Sequence, residues 1–200
     1  MRISASNLGC LRGSREIFRN INFSLSSGQA LAVLGPNGAG KSSLLRIVAG
    51  VLRTTSGRLS LEGGDPELTI PEQAHYLGHL DALKPSLSVA ENLAFWARYL
   101  GPGPGVLADA LEAVGLAPIR DLPAGYLSAG QRRRLSIARL VAVRRPIWLL
   151  DEAASALDQA AQARLIELMR GHLAGGGLIL AATHAPLGLD QAQELRLEAA

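Results

Sequence analysis

The sequence predicts an α/β fold with two additions, an N-terminal antiparallel β layer and an inserted α-helical subdomain. The α/β core is indicated by a Gly-rich stretch that follows an apolar strand-like segment, Ala30–Leu34, and precedes a helical pattern at residues 43–48. The β layer is indicated by strand-like stretches at residues 2–8 and 21–25, ahead of this core. The helical subdomain is indicated by helix-period patterns within residues 86–117.

The length and composition fit one domain over residues 1–200, and we place the helical subdomain at about residues 84–143 within it. A hydrophobic content of 48% is ample for a core. The net charge of only +3 favours surface or interface arginines at 132–134 over a nucleic-acid site. The single cysteine, Cys10, excludes an internal disulfide and fits a reducing compartment. We find neither a secretory h-region nor an apolar run of about 18 residues, so we expect neither secretion nor a membrane span.

The Gly-rich stretch matches G-x-x-x-x-G-K-S, the phosphate-binding P-loop, in the strand–loop–helix context that the motif requires. Its glycines let backbone N–H groups converge on anionic oxygens beside a helix N-terminus. Lys41 supplies a positive charge for the β- and γ-phosphates, and Ser42 supplies a hydroxyl ligand for Mg²⁺. The motif predicts nucleoside triphosphate binding. The predicted binding set is Gly35, Pro36, Asn37, Gly38, Ala39, Gly40, Lys41, Ser42 and Ser43.

A loop-rich return follows the P-loop helix. We predict a turn at residues 54–57, a half-buried strand at 58–62 and a second turn at 63–66. A further short strand at 74–78 ends at His79.

The helical subdomain begins with a capping box, in which Ser88 is the N-cap and Glu91 follows three residues later. A Gly/Pro run at 101–105 ends this helix, and a second helix is predicted at about 106–114. Three aromatic residues are interpreted as core, with an exposed docking face for a partner as the alternative. They are Phe95, Trp96 and Tyr99.

The last third of the chain alternates helix and strand patterns, which favours a parallel sheet. The predicted elements are a helix from LSAGQ (127–131) to about 143, a strand at 147–152, a helix at 160–173, a strand at Leu178–Ala182 and a last strand around Leu195 and Leu197.

Candidate catalytic residues follow the ends of the buried strands. Because ligands bind beyond the carboxyl ends of parallel strands, the P-loop, Asp151, Glu152 and His184 are expected to converge at one edge. Asp151 is the expected Mg²⁺ carboxylate, opposite Ser42. Glu152 is the expected base for the attacking water, and His184 is expected to hydrogen-bond the γ-phosphate.

The motif order resembles that of ABC-type ATPases over the whole chain: P-loop, helical insert, LSAGQ, Asp-Glu after an apolar strand, SALD (155–158) and a histidine. The resemblance implies ATP and Mg²⁺ as ligands, and a head-to-tail homodimer with two ATP molecules at the interface. Ser128, Gly130 and Gln131 of one subunit would meet the nucleotide held by the P-loop of the other. Asp158 would organise the facing subunit.

The sequence departs from the family pattern at three positions. His79 stands where most relatives carry a glutamine that ligates Mg²⁺, and we assign the histidine that role. Arg12 stands where most relatives carry an aromatic residue that stacks on adenine; a planar guanidinium can stack similarly, although ATP and GTP are not then distinguished. Ala153 replaces the usual proline after the catalytic glutamate, which we expect to be tolerated.

The segment LGHLDALKPSLSVAENLAFWARYLG, together with Arg12 and the short length, resembles the ATP-binding subunits of haem exporters in bacterial cytochrome c maturation. The resemblance implies a peripheral ATPase on the cytoplasmic face of the bacterial inner membrane, bound to integral membrane subunits of the CcmB type. Such a subunit drives haem delivery to apocytochromes. The four histidines of the chain follow no ligand spacing, so we expect no haem site in the chain itself.

Other functions stay open. One is the ATPase of an ABC transporter with another substrate, and a second is a soluble ABC ATPase such as an iron–sulfur assembly factor. A catalytically silent nucleotide sensor is disfavoured because Lys41, Asp151, Glu152 and His184 are all retained.

Overall fold

A computed structural model describes residues 1–101 and 107–198 of the chain. Most of the predicted Gly/Pro break at 101–105 and the predicted helix start at Val106 lie outside these residues. The described part contains eight β-strands and five α-helices. The strands are β1 Arg2–Arg12, β2 Arg15–Ser26, β3 Ala30–Leu34, β4 Ser56–Glu62, β5 Ala74–Leu77, β6 Ile147–Asp151, β7 Leu178–Ala182 and β8 Gln193–Arg196, and the helices are α1 Lys41–Val48, α2 Val89–Leu100, α3 Leu107–Ala113, α4 Ala129–Ala142 and α5 Gln159–Ala174.

The chain divides into two compact units. The first comprises Met1–Gly78, Pro146–Glu152 and the chain from Arg170 onward. The second comprises His79–Arg145 and Ala153–Met169. Both sheets, the P-loop and the strand ends with catalytic candidates belong to the first unit, whereas LSAGQ and SALD belong to the second.

The first unit pairs an antiparallel sheet of order β2-β1-β4 with a parallel sheet of order β5-β6-β7-β3-β8. The predicted α/β fold with its N-terminal antiparallel layer is therefore confirmed. Strands β1 and β2 are longer than predicted. Asn7 and Asn20 take the left-handed conformation, and register shifts interrupt the pairing, so the alternating pattern breaks before the strands end.

A single hydrophobic cluster joins the two sheets and α1 within the first unit. Strands β6 and β7 are buried along their whole lengths, as their apolar sequences, interrupted only by Asp151 at the end of β6, predict for central parallel strands. The cluster takes alternate residues from them, including Leu149 and Leu180. This packing fixes the strand ends that carry the candidate site.

The second unit contains helices α2, α3 and α4. The predicted capping box of α2 is present, with Ser88 accepting from the backbone of Glu91 and donating to its side chain. The core interpretation of the α2 aromatics is wrong for Phe95 and Tyr99, which are 40% and 73% exposed. They lie on the outer face because the buried face is formed around Leu93, while Trp96 is half-buried and holds the guanidinium of Arg139 4.4 Å from its ring centre.

The expectation of surface or interface arginines at 132–134 is wrong for Arg133, which is 2% exposed. Its guanidinium donates from Nε to the Ala153 carbonyl at 3.0 Å and lies 3.4 Å from the Asp81 carboxylate. A buried arginine needs such partners, so Arg133 joins three segments of the second unit.

None of the helices in the described part of the chain is long and apolar enough to cross a membrane.

Candidate nucleotide-binding site

The P-loop connects the buried strand β3 to α1 in the first unit. Gly40 caps the helix with a φ of 98°, a conformation that favours glycine. A Cβ atom on Gly40 would also lie 2.6 Å from Ile17 and 2.8 Å from Phe18 of β2. The loop therefore needs glycine at this position both for backbone geometry and for close approach to the β layer.

Lys41 is folded back onto the loop. Its Nζ atom donates to the carbonyl oxygens of Gly35 at 2.8 Å and Pro36 at 3.2 Å. The same atom lies 3.2 Å from Nε2 of His184, beyond the end of β7. The side chain is thus already directed along the concave side of the loop, where phosphate oxygens would compete for its N–H groups.

Ser42 and Asp151 bring two oxygen ligands together. The Ser42 hydroxyl donates to Oδ1 of Asp151 at 2.8 Å, and the carboxylate is 1% exposed at the end of β6. A hydroxyl and a carboxylate are the hard oxygen donors that Mg²⁺ prefers, with phosphates and waters as its other ligands. The donor pair therefore fits Mg²⁺. Within residues 1–101 and 107–198, no group of three or more His, Cys, Asp or Glu side chains is arranged to hold a metal.

Glu152 occupies a strained position directly after Asp151. Its φ is 51°, in the left-handed region, and its N–H donates to the carbonyl of Ala182 at 3.0 Å. Its Oε1 atom lies 3.3 Å from Nε2 of His184, so one imidazole nitrogen faces both Lys41 and Glu152. With a proton on Nε2 the ring donates to Glu152; without it the ring accepts from Lys41.

Two further polar residues reach Asp151, and the sequence motifs did not single them out. The Tyr76 hydroxyl of β5 donates to Oδ2 of Asp151 at 3.1 Å, and Nε of Arg46 in α1 donates to that hydroxyl at 3.2 Å. Burial raises the pKa of Tyr76, and the hydrogen bond from Arg46 to Tyr76 raises the pKa of Arg46. No motif in the sequence signals this contact, because it depends on β5 lying beside β6 in the sheet.

The signature segment is organised within the second unit. Ser128 and Gln131 form a capping box at the start of α4, with Oε1 of Gln131 accepting from the Ser128 N–H at 2.8 Å. A Cβ atom on Gly130 would lie 2.9 Å from the carbonyl of Ala156, in the SALD segment. Asp158 caps α5 by accepting from the N–H of Ala161 at 2.8 Å. The LSAGQ and SALD segments therefore pack against each other, at Gly130 and Ala156.

Comparison with known proteins places these motifs in a family. The ABC transporter family matches residues 18–155, more than half of the chain. The cytochrome c biogenesis ATP-binding export protein CcmA of Nitrobacter winogradskyi is 63% identical over 98% of both chains. The protein of the same name from Rhodopseudomonas palustris is 60% identical over the full length of both. The chain belongs to the CcmA family of ABC transporter proteins.

Solved structures support the fold of this CcmA-family chain. A putative ABC transporter ATP-binding protein from Pyrococcus furiosus superposes with a TM-score of 0.84 over 98% of both chains at 21% identity. A bacterial Atm1-family ABC exporter with ATP bound superposes with a TM-score of 0.83, over the whole of this chain and 38% of that one, at 22% identity. The predicted ABC-type fold is confirmed. As a CcmA-family protein, the chain is the ATP-hydrolysing subunit of an ABC transporter, as predicted.

The first unit brings together Lys41, Ser42, Asp151, Glu152 and His184, as expected from the strand ends. Arg12 lies exposed at the end of β1, where its backbone is opposite that of Arg15 in β2. His79 is exposed at the start of the second unit. The roles assigned to individual residues stay predictions.

Proposed function

We propose that this CcmA-family chain powers a membrane complex that delivers haem for the maturation of c-type cytochromes. The observation that carries the proposal is the similarity, over nearly the whole chain, to proteins named for cytochrome c biogenesis and export. The geometry of the first unit supports the chemical part of this function, ATP hydrolysis.

ATP binds as substrate at the P-loop. The backbone N–H groups of the loop and the N-terminus of α1 face its phosphates. Lys41 exchanges the neutral carbonyls of Gly35 and Pro36 for charged phosphate oxygens, which are stronger hydrogen-bond acceptors. Ser43 follows in the first turn of α1 and belongs to the same binding set.

Ser42 and Asp151 hold Mg²⁺, with His79 as a further ligand. The ion, when bound, neutralises charge on the β- and γ-phosphates. The support for Ser42 and Asp151 is their short contact and the nature of their oxygen donors. The support for His79 is its position in the family pattern alone.

Glu152 acts as the base. Its carboxylate accepts a proton as the water oxygen bonds to the γ-phosphorus, the bond from that phosphorus to the bridging oxygen breaks, and ADP and phosphate are released. His184 hydrogen-bonds the γ-phosphate. The 3.3 Å contact between Nε2 of His184 and Oε1 of Glu152 supports this pairing, because it already sets the two side chains side by side.

Hydrolysis requires a homodimer of these chains. Ser128, Gly130 and Gln131 of one chain complete the ATP site of the other, at a helix N-terminus suited to an anion. Asp158 organises the facing site, and Arg12 stacks on the adenine. The packing of Gly130 against Ala156 supports a shared role for the LSAGQ and SALD segments.

The dimer is peripheral to the cytoplasmic face of the bacterial inner membrane, where integral subunits of the CcmB type bind it. Membership of a transporter family supports membrane partners.

The test is a covalent-haem stain of membranes from cells whose only copy carries Glu152→Gln, which should bind ATP without turning it over. The matched control is Glu112→Gln, at an exposed glutamate of α3. We expect c-type cytochromes to disappear in the first strain and persist in the second, with both variants membrane-bound. Normal cytochromes with Glu152→Gln would refute the haem role and reopen an ordinary transport substrate. Recovery of the protein only in the soluble fraction would favour a soluble ABC ATPase.

A further inference from the structure

Tyr76 and Arg46 form a hydrogen-bonded chain that ends on the carboxylate of Asp151. Arg46 donates from Nε to the Tyr76 hydroxyl at 3.2 Å, and that hydroxyl donates to Oδ2 of Asp151 at 3.1 Å. The other carboxylate oxygen, Oδ1, accepts from Ser42 at 2.8 Å. Each oxygen of this buried carboxylate therefore accepts a hydrogen bond from a different element, Oδ1 from α1 and Oδ2 from β5.

The direction of this chain is fixed by chemistry. A guanidinium has only donors, so Tyr76 must be the acceptor in its contact with Arg46. The hydroxyl has a single proton, and Asp151 is an acceptor, so that proton points at Oδ2. The positive charge of Arg46 polarises the hydroxyl and strengthens its donation to the carboxylate.

The packing of Tyr76 keeps the hydroxyl in place. The residue is half-buried against the core of the first unit. Gly78 lies against the ring so closely that a Cβ atom there would approach ring carbons and the hydroxyl at 3.1–3.3 Å. The ring and its hydroxyl therefore occupy the space that a side chain at position 78 would need.

We propose that Tyr76 is a positioning residue for the Mg²⁺-binding carboxylate, with Arg46 acting through it. Two donors on different oxygens fix the rotation of the carboxyl group about its Cβ–Cγ bond. If Ser42 turned to a bound Mg²⁺, Tyr76 would still donate to Oδ2 and would keep Oδ1 directed toward Ser42. The inference rests on the proposed role of Asp151, and it adds residues that act on the metal without touching it.

The experiment uses the chain of residues 1–200 and measures the dissociation constant of the non-hydrolysable analogue AMPPNP by calorimetry, in excess Mg²⁺ and in EDTA. The dissociation constant in EDTA divided by the constant in Mg²⁺ reports how much the metal strengthens binding. For Tyr76→Phe we expect this ratio to fall about tenfold, the size of one hydrogen bond to a charged group, with the constant in EDTA unchanged. Tyr99→Phe, which removes an exposed hydroxyl, is the matched control and should behave as wild type.

An unchanged ratio for Tyr76→Phe, or equal weakening with and without Mg²⁺, would overturn the inference, because a merely structural loss would affect both conditions. If Tyr76→Phe does not fold, Arg46→Met decides: it leaves the hydroxyl in place but unpolarised, and the ratio should fall about threefold. No fall with that variant would overturn the inference. Asp151→Asn tests the underlying assignment separately, because it should abolish the metal contribution even if Tyr76 has no part in it.

Discussion

His172, near the end of α5, is expected to make the protein less stable in mild acid. Its ring stacks on Trp148 of β6 with the ring centres 4.0 Å apart, and its Nε2 atom lies 3.3 Å from the carbonyl of Leu178. A side chain at Gly177 would overlap the imidazole, so the backbone covers the ring. Burial lowers the pKa of His172 to about 4, partly offset by hydrogen bonds to the backbone at Leu178 and Pro146.

The sign of the effect follows from the two pKa values. In the unfolded chain the imidazole binds a proton near its ordinary pKa of 6.5, whereas the folded chain resists protonation until the pH nears about 4. Protonation therefore favours the unfolded state below pH 6.5 and has no effect above it. At about pH 5 the loss in the free energy of unfolding is RT ln[(1 + 10^1.5)/(1 + 10^−1)], about 2 kcal/mol. Because water reaches part of the ring, this is an upper value.

The assay is urea unfolding of wild type and His172→Phe at about pH 7.5 and about pH 5. Phenylalanine keeps the stack on Trp148 but cannot titrate, and the hydrogen bond that it loses affects both pH values equally. We expect wild type to lose about 2 kcal/mol more than the variant between the two pH values. Replacement of the exposed His79 by phenylalanine should leave the wild-type difference intact. Equal losses in wild type and His172→Phe would refute the reasoning.

The site makes three further predictions. Lys41→Ala should weaken ATP binding about 100-fold, as expected for the loss of two hydrogen bonds to charged phosphate; wild-type affinity in a fluorescence titration would contradict its role. Gly130→Ala forces a shift, because the added Cβ lies 2.9 Å from the carbonyl of Ala156; in a Glu152→Gln background it should prevent ATP-dependent dimerisation in size-exclusion chromatography while ATP binding persists. His79→Gln should retain ATPase activity, since glutamine offers an oxygen ligand; complete loss in a phosphate-release assay would show a role specific to histidine.

The elements with one dominant local signal could be predicted from the sequence. The apolar strands β3 and β7 have the predicted bounds, α2 begins at its predicted N-cap, Ser88, and α4 begins within the predicted segment LSAGQ. The ends of β1 and β2 could not be predicted, because backbone irregularities at Asn7 and Asn20 interrupt the alternation of side chains. The exposure of Tyr99 could not be predicted either, because aromatic residues at helical spacing are as typical of a core as of an exposed face.

The candidate site was predictable as far as the ends of parallel strands determine it. That rule brought Lys41, Asp151 and His184 together without any knowledge of strand order. The contact of Tyr76 with Asp151 depends on β5 lying beside β6, a neighbour relation between strands that are far apart along the chain. The fold-back of Lys41 onto its own loop is a choice of side-chain conformation, which no motif spacing encodes.

The hydrogen bonds of the site link metal binding to phosphate binding. Lys41 would lose no hydrogen-bond energy when a nucleotide binds, because charged phosphate oxygens would replace the neutral carbonyls as acceptors of its N–H groups. Ser42 differs, because its present acceptor is the charged carboxylate of Asp151, and that buried charge repels a triphosphate that comes without a cation. If Ser42 and Asp151 hold Mg²⁺ as proposed, the hydroxyl would become a ligand of the ion and the charge of the carboxylate would be neutralised, so both obstacles would be removed at once. On this proposal the site would favour Mg²⁺-bound ATP over free ATP, through the carboxylate that accepts the hydrogen bond from Tyr76.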